Sequence, residues 1–162
     1  MAATTMRIAI GADNAGAKLK NLLKGVLNGD SRVAEVVDYG VADESDTTAY
    51  PYVGVRVAEA VASGEAQRGL LVCGTGIGMA ISANKVSGIR ATVAHDAYSV
   101  ERSVLSNDCQ ILALGARVIG PELATKLVRE WLSHEFDPGS ASAEKVEVIE
   151  RYEASGSTSQ AT

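Results

Sequence analysis

Short apolar runs rich in β-branched residues alternate with amphipathic segments along nearly the whole chain, and few folds accommodate that rhythm. "RIAIG" at 7–11 reads as a strand that stops at Gly and Asp, and residues 15–28 then space Leu19, Leu22, Leu23, Val26 and Leu27 as in a helix. "VAEVVDYG" at 33–40 gives a second strand. A polar loop leads from it to a helix carrying Val53, Val57, Ala60 and Val61 on one face. "GLLVCG" at 69–74, "IRATVA" at 89–94 and "QILALG" at 110–115 give three more strands. Pro121 suits the first position of a helix bearing Leu123, Leu127, Val128, Trp131 and Leu132. "FDPGS" ends that helix, and a last one from about 141 is expected to turn Val146, Ile149 and Tyr152 inward.

Strands that are apolar on both faces belong in a parallel sheet covered by helices on each side. The expected fold is therefore α/β: a Rossmann-like three-layer α/β/α sandwich with a five-stranded parallel sheet. Likeness to doubly wound folds suggests the strand order 2-1-3-4-5. With 162 residues, 46% of them hydrophobic, the chain can bury one core. A single domain is expected over 1–152, and the small, polar end of the chain, 153–162, is expected to be disordered.

The net charge of −5, scattered Lys and Arg, and only one Phe and one Trp argue against a nucleic-acid partner. Apolar runs are short and the start "MAATTMRIAIGAD" has no long apolar segment, so neither a membrane partner nor a signal peptide is expected. Cys73 and Cys109 lack the spacing of a zinc site or a disulfide framework. A cytoplasmic protein with reduced thiols and no bound metal is the expectation.

Ligands of such sheets bind beyond the carboxyl ends of the strands, and there "VCGTGIGMAISANK" at 72–85 stands out. Counting from Gly74 and Gly76, or from Gly76 and Gly78, puts Met79 or Ile81 where a dinucleotide fingerprint needs a small residue, and no Gly-Lys-Ser/Thr closes a P-loop. Two readings remain open. In one, the glycines only make a tight turn. In the other, the loop presents several N–H groups to an oxyanion, beside Cys73 and Thr75. A thiol beside a helix start ionises more readily than a free one, and a thiolate serves as nucleophile or base. A rival of another class is a nucleotide-binding regulatory module that uses the loop only as an anion nest.

"CGTGIGMAISANK", "GIRA" at 88–91, "SND" at 106–108, "GARVIG" at 115–120, "IGAD" near the start and "AYP" at 49–51 together resemble ribose-5-phosphate isomerase B and its relatives, the galactose-6-phosphate isomerase subunits. The likeness runs from about residue 6 to about 152. It implies a metal-free, cofactor-free aldose-ketose isomerase acting on a phosphorylated sugar through a cis-enediolate. It also implies active sites shared across a homodimer, or a tetramer of paired dimers. By position, Cys73 corresponds to the base that moves a proton between C1 and C2, and Thr75 to the hydroxyl that shuttles protons between O1 and O2. The amides of Gly74, Thr75, Gly76, Ile77 and Gly78 correspond to the anion hole. Asp13, Tyr50 and Asn107 correspond to substrate contacts, and Arg117 to an arginine near the phosphate.

The chain departs from that family in one coherent way. Asn14 stands where a phosphate-holding histidine is usual, Ser106 where the ring-opening histidine is usual, and Ala141 and Lys145 where two phosphate-binding arginines are usual. A pentose 5-phosphate closes a furanose through its C4 hydroxyl, whereas a tetrose 4-phosphate has that oxygen esterified and stays open. A tetrose substrate needs no ring-opening group and places its phosphate nearer the chemistry. The expected substrate is therefore D-erythrose/D-erythrulose 4-phosphate. The alternative is ribose 5-phosphate/ribulose 5-phosphate, with Ser106 or Asp13 assisting ring opening and Lys145 and Arg117 holding phosphate.

Overall fold

Side chains along each interior strand alternate between two separate cores, one on either face of the sheet. The computed structural model describes residues 5–158. Its elements are β1 (Met6–Ala12), α1 (Ala17–Asn28), β2 (Val33–Asp38), α2 (Tyr50–Ala62), β3 (Arg68–Cys73), α3 (Ile77–Ala83), β4 (Ala91–Val93), α4 (Ala97–Leu105), β5 (Ile111–Gly115), α5 (Pro121–Trp131) and α6 (Ala143–Ser155). Ile8, Ile10, Leu70, Val72, Leu112 and Leu114 face one core, which is closed by Leu23 and Leu27 of α1, Val100 and Val104 of α4, and Leu127 and Trp131 of α5. Ala9, Leu71, Cys73, Ile111 and Ala113 face the other, closed by Val53 and Val57 of α2 and by Met79 and Ala83 of α3. Leu22 and Leu123 fall outside these buried stripes and are exposed.

All pairings are parallel, and the strand order is β2-β1-β3-β5-β4. The order differs from the expected 2-1-3-4-5 by exchange of the last two strands. Burial explains the exchange: all five residues of β5 are buried, which requires a neighbour on each side. β4 has three residues, two of them partly exposed, and a short strand tolerates an edge. Connections through α1 and α4 step one way across the sheet and those through α2 and α3 step the other way. Because parallel crossovers are right-handed, the two pairs of helices lie on opposite faces.

Two expectations at the end of the chain change. On α6 only Val146 is buried, while Ile149 is 50% and Tyr152 56% exposed. α6 packs on neither face of the sheet and is joined to the rest of the molecule by polar links from Glu150 to Arg90 and from Glu153 to Gly88, so a single residue is buried. Residues 153–155 of the expected tail continue α6, and 159–162 lie outside the described residues. No described helix is long and apolar enough to cross a membrane.

One feature of the core escapes the hydrophobic pattern. Lys20 sits on the buried face of α1 with 1% exposure. Its Nζ donates to Asp38 Oδ2 at 2.9 Å, to Asp38 Oδ1 at 3.2 Å and to the Val41 carbonyl at 2.6 Å. Lys24 Nζ donates to Asp38 Oδ2 at 3.2 Å, and the Gly40 N–H donates to Asp38 Oδ1 at 2.9 Å. Burial alone would raise the pKa of Asp38, but the bonds from Lys20, Gly40 and Lys24 outweigh it and hold the carboxyl below its ordinary 3.8. A carboxylate with a depressed folded pKa stabilises the fold above its unfolded pKa, and that contribution is lost as pH falls through the folded value. Asp38→Asn leaves the buried Lys20 ammonium uncompensated and is expected to cost about 3 kcal/mol in urea unfolding at pH 7. The gap to wild type should narrow below pH ~4, as the wild-type carboxyl itself protonates.

Candidate active site

Between β1 and β3 the sheet reverses its direction of growth, and the helices that follow these strands leave on opposite faces. Such a point opens a crevice beyond the strand ends. Cys73, the last residue of β3, lies at this crevice with 6% exposure. Its Sγ accepts the Gly76 N–H at 3.0 Å. Thr75 Oγ1 accepts the Ile77 N–H at 3.3 Å, which leaves the Thr75 hydroxyl proton free to point elsewhere. Gly76 caps α3 with φ +81°, a left-handed conformation that strains any residue with a Cβ. The amides of Gly78 and Met79 follow in the first turn of α3, where no preceding helical carbonyl exists to receive them.

Other strand ends close around this loop. Gly16 presses its Cα against the Val72 carbonyl, 2.4 Å from where a Cβ would sit, so the segment after β1 lies on the end of β3. There Asp13 Oδ1 accepts the Gly16 N–H at 3.1 Å and folds the turn into α1. Asp13 Oδ2 has no partner among the described residues, and the neighbouring Asn14 is exposed. Tyr50, 42% exposed at the start of α2, lays its ring edge over Gly78, with Cε2 2.6 Å from the site of a Cβ. The Arg117 N–H donates to the Gly74 carbonyl at 3.0 Å, and its guanidinium reaches the same glycine. That guanidinium has no ion-pair partner among the described residues. Asp13, Asn14, Tyr50, Cys73, Thr75 and Arg117 thus line one end of the sheet.

Ser106, Asn107 and Lys145 do not join them. α4 runs antiparallel to the strands, so the 106–108 segment that follows it lies at the amino end of β5. The length of β5, roughly 16 Å at about 3.3 Å per residue, separates Asn107 from the carboxyl ends. Arg90 clamps the segment: its Nε donates to the Asn107 and Asp108 carbonyls at 3.0 Å each, and Nη2 meets Asp108 Oδ2 at 2.8 Å. α6 is tied to the same end of the sheet. Glu150 pairs with Arg90 at 3.2 Å, and Glu153 accepts the Gly88 N–H at 2.8 Å. Lys145 stands exposed in the first turn of α6. A cavity of about 820 Å³ runs along the free edge of β4, lined by Arg102, Asn107, Ile149 and Tyr152 among others.

Other titratable side chains outside this cluster have structural environments of their own. Arg102 bonds Glu101 at 2.8 Å and 3.1 Å. Burial pushes the Cys109 thiol up to about 11. His134 is half-buried 3.9 Å from Glu130. His95 Nε2 accepts the Gly115 N–H at 2.8 Å, and burial lowers its pKa against the opposing charge of Asp96. No short sequence pattern marks that contact, because it joins the end of β5 to a residue that follows β4. Lys20 left a readable trace: a lysine inside the apolar stripe of α1 needs a buried counter-ion.

A thiol, a hydroxyl and a row of backbone amides converging at the reversal point of a parallel sheet define a site that can move protons and stabilise an oxyanion. Comparison with known proteins agrees with that class. The Ribose/Galactose Isomerase family model matches residues 8–149, and the chain belongs to that family. It is 60% identical over 148 residues to D-erythrulose-4-phosphate isomerase 2 of Mycolicibacterium smegmatis, covering 91% of this chain and 97% of the relative. It is 49% identical to D-erythrulose-4-phosphate isomerase of Pectobacterium atrosepticum, covering 91% and 95%. Among solved structures, ribose-5-phosphate isomerase B of Clostridium thermocellum superposes with a TM-score of 0.87 at 44% identity, covering 94% of this chain and all of that one.

The loop geometry separates two glycine substitutions. Gly76→Ala forces a Cβ into a left-handed conformation and is expected to cost about 1–2 kcal/mol of folding stability. Gly78→Ala meets only the edge of a partly exposed tyrosine ring, which can swing outward, and should cost less than about 1 kcal/mol. Urea titration of the two variants checks the order.

Proposed function

We propose that this protein interconverts D-erythrulose 4-phosphate and D-erythrose 4-phosphate. Cys73, as thiolate, removes a proton from C1 of the ketose. The C–H electron pair becomes the C1=C2 double bond, and negative charge collects on O2 of a cis-enediolate. Thr75 passes a proton from O1 to O2, and the Cys73 thiol returns its proton to C2, giving the aldose and regenerating the thiolate. The loop amides of residues 74–78, of which Gly76 and Ile77 are held by Cys73 Sγ and Thr75 Oγ1 in the free protein, supply the donors for the developing oxyanion, where preorganised donors lower the barrier most. Asp13, Asn14 and Tyr50 hold the hydroxyl-bearing carbons, and Arg117 draws the phosphate.

The observation that carries the substrate class is an assembled Cys73–Thr75–Gly78 loop in a chain whose ring-opening and phosphate positions, Asn14, Ser106, Ala141 and Lys145, are changed. An open-chain substrate one carbon shorter than a pentose explains both halves. Relatives at 60% and 49% identity that bear the name D-erythrulose-4-phosphate isomerase support it. Ribose 5-phosphate is the second reading, favoured by the likeness to the Clostridium thermocellum enzyme.

We further infer that the working unit is a homodimer. Asn107 and Lys145 complete a site only if a second copy presents the amino end of its sheet to Cys73 of the first. The exposed side chains of Ile77 and Ile81 on α3, Tyr52 on α2 and Tyr98 on α4 provide apolar surface for such a contact.

Two measurements test these readings. The ratio of kcat/KM for D-erythrose 4-phosphate to that for ribose 5-phosphate is expected to exceed ~100, equivalent to about 2.7 kcal/mol of transition-state discrimination. Cys73→Ala should lower both rates by ~100-fold or more with the fold intact. A preference for the pentose overturns the tetrose assignment. Separately prepared Cys73→Ala and Asn107→Ala proteins are each expected to be inactive. Random exchange of their subunits should restore about a quarter of wild-type activity, since each mixed dimer regains one intact site. No recovery after demonstrated exchange would place Cys73 and Asn107 in the same subunit's site or remove Asn107 from it.

A further inference from the structure

The carboxyl end of β5 is the floor on which the Cys73 loop rests, and that floor has a missing neighbour. Ala116 donates its N–H to the Cys73 carbonyl at 2.8 Å, on the β3 side. Successive N–H groups of a strand point in opposite directions, so the Gly115 N–H faces the β4 side. β4 has already ended there: its last pairing with β5 is Val93 with Ala113. The imidazole of His95, two residues beyond the end of β4, takes the place of the absent carbonyl and accepts the Gly115 N–H on Nε2 at 2.8 Å.

What this bond holds is the backbone of the site. Thr75 Cα and carbonyl carbon lie 2.8 Å from where a Gly115 Cβ would sit, and Gly76 stands over the Ala113 and Leu114 carbonyl carbons at 3.2 and 3.1 Å by the same measure. Backbone rests on backbone, with no side chain between to absorb a shift. A movement of the Gly115 peptide therefore passes directly to Thr75 and Gly76, and the Gly76 amide in turn donates to the Cys73 sulfur.

We propose that His95 is a positioning residue for the isomerase site: a neutral imidazole, protonated on Nδ1, that fixes the Gly115 peptide and through it the Thr75–Gly76 backbone. The inference rests on the isomerase reading above. An accepting Nε2 carries no proton, so the neutral form is the competent one. Half-burial of the ring favours that form, and the Asp96 carboxylate beside it opposes. The neighbouring strand ends contribute Cys73 and Arg117 as the other ionisable groups. His95 needs no contact with substrate to act in this way.

The test compares His95→Phe, which keeps a ring but has no acceptor, with His95→Gln, whose Oε1 can reach the position of Nε2. His95→Phe is expected to lower kcat by ~30-fold or more, the scale of a loop displaced by a fraction of an ångström, while KM stays within ~3-fold. His95→Gln should recover kcat to within ~5-fold of wild type. Amide hydrogen exchange is read on the same three proteins. Protection at Gly115 and Gly76, whose amides are bonded to His95 and Cys73, should fall in the Phe variant alone, with protection in α1 and β1 unchanged in all three. A Phe variant with wild-type kcat, or a Gln variant no better than Phe, overturns the proposal while leaving the isomerase reading in place. If wild type turns over neither sugar phosphate, the isomerase reading fails. Exchange at Gly76 then decides alone, with equal protection in all three proteins overturning the role of His95.

Discussion

Backbone lying directly on backbone at the ends of β3 and β5 is the constraint on which the site depends. Cys73 pairs in register with Gly115, and the chain leaving β3 folds back so that Thr75 and Gly76 sit on the last two peptides of β5. That stacking leaves no room for side chains at Gly115, and at Gly76 it demands a left-handed turn. Both requirements follow from one need. An oxyanion hole made of amides works only if those amides cannot rotate away, and a loop seated on a fully buried strand has little freedom to do so.

The two-sided sheet makes this seat rigid. β5 is buried on both faces because α2 and α3 cover one side while α1, α4 and α5 cover the other. That division is itself a consequence of right-handed crossovers stepping in opposite directions. The exchange of β4 and β5 relative to a simple doubly wound order matters here. It places the fully apolar strand beside β3 and leaves the short strand at the edge, where it ends early and lets His95 turn inward.

The chemistry is distributed unevenly over the molecule. The proposed proton transfer needs atoms held within a few tenths of an ångström, and Cys73, Thr75 and the amides proposed for it are held within a single loop. Substrate recognition tolerates more distance, and its candidate residues lie at both ends of the sheet: Asp13, Tyr50 and Arg117 at the carboxyl end, Asn107 and Lys145 at the other. Arg90 and α6 hold the second group in place by ion pairs and hydrogen bonds. A symmetric pairing of two copies is the simplest geometry that brings the groups together.

The sequence by itself determined the fold class, the five strands, the helices α1, α2, α5 and α6, and the glycine loop proposed to carry the chemistry, because each of these is written in local periodicity or in glycines crowded at a strand end. The departures at Asn14, Ser106, Ala141 and Lys145 were equally legible, being single letters at motif positions. Only the tertiary structure decided the strand order, the exposure of Ile149 and Tyr152, the pairing of Lys20 with Asp38, the bond from Gly115 to His95, and the separation of Asn107 from Cys73. Each of these depends on which segments distant in the chain become neighbours, and that is set by competition among all the apolar strands for the two buried positions beside β3, a global balance that no short stretch of residues records.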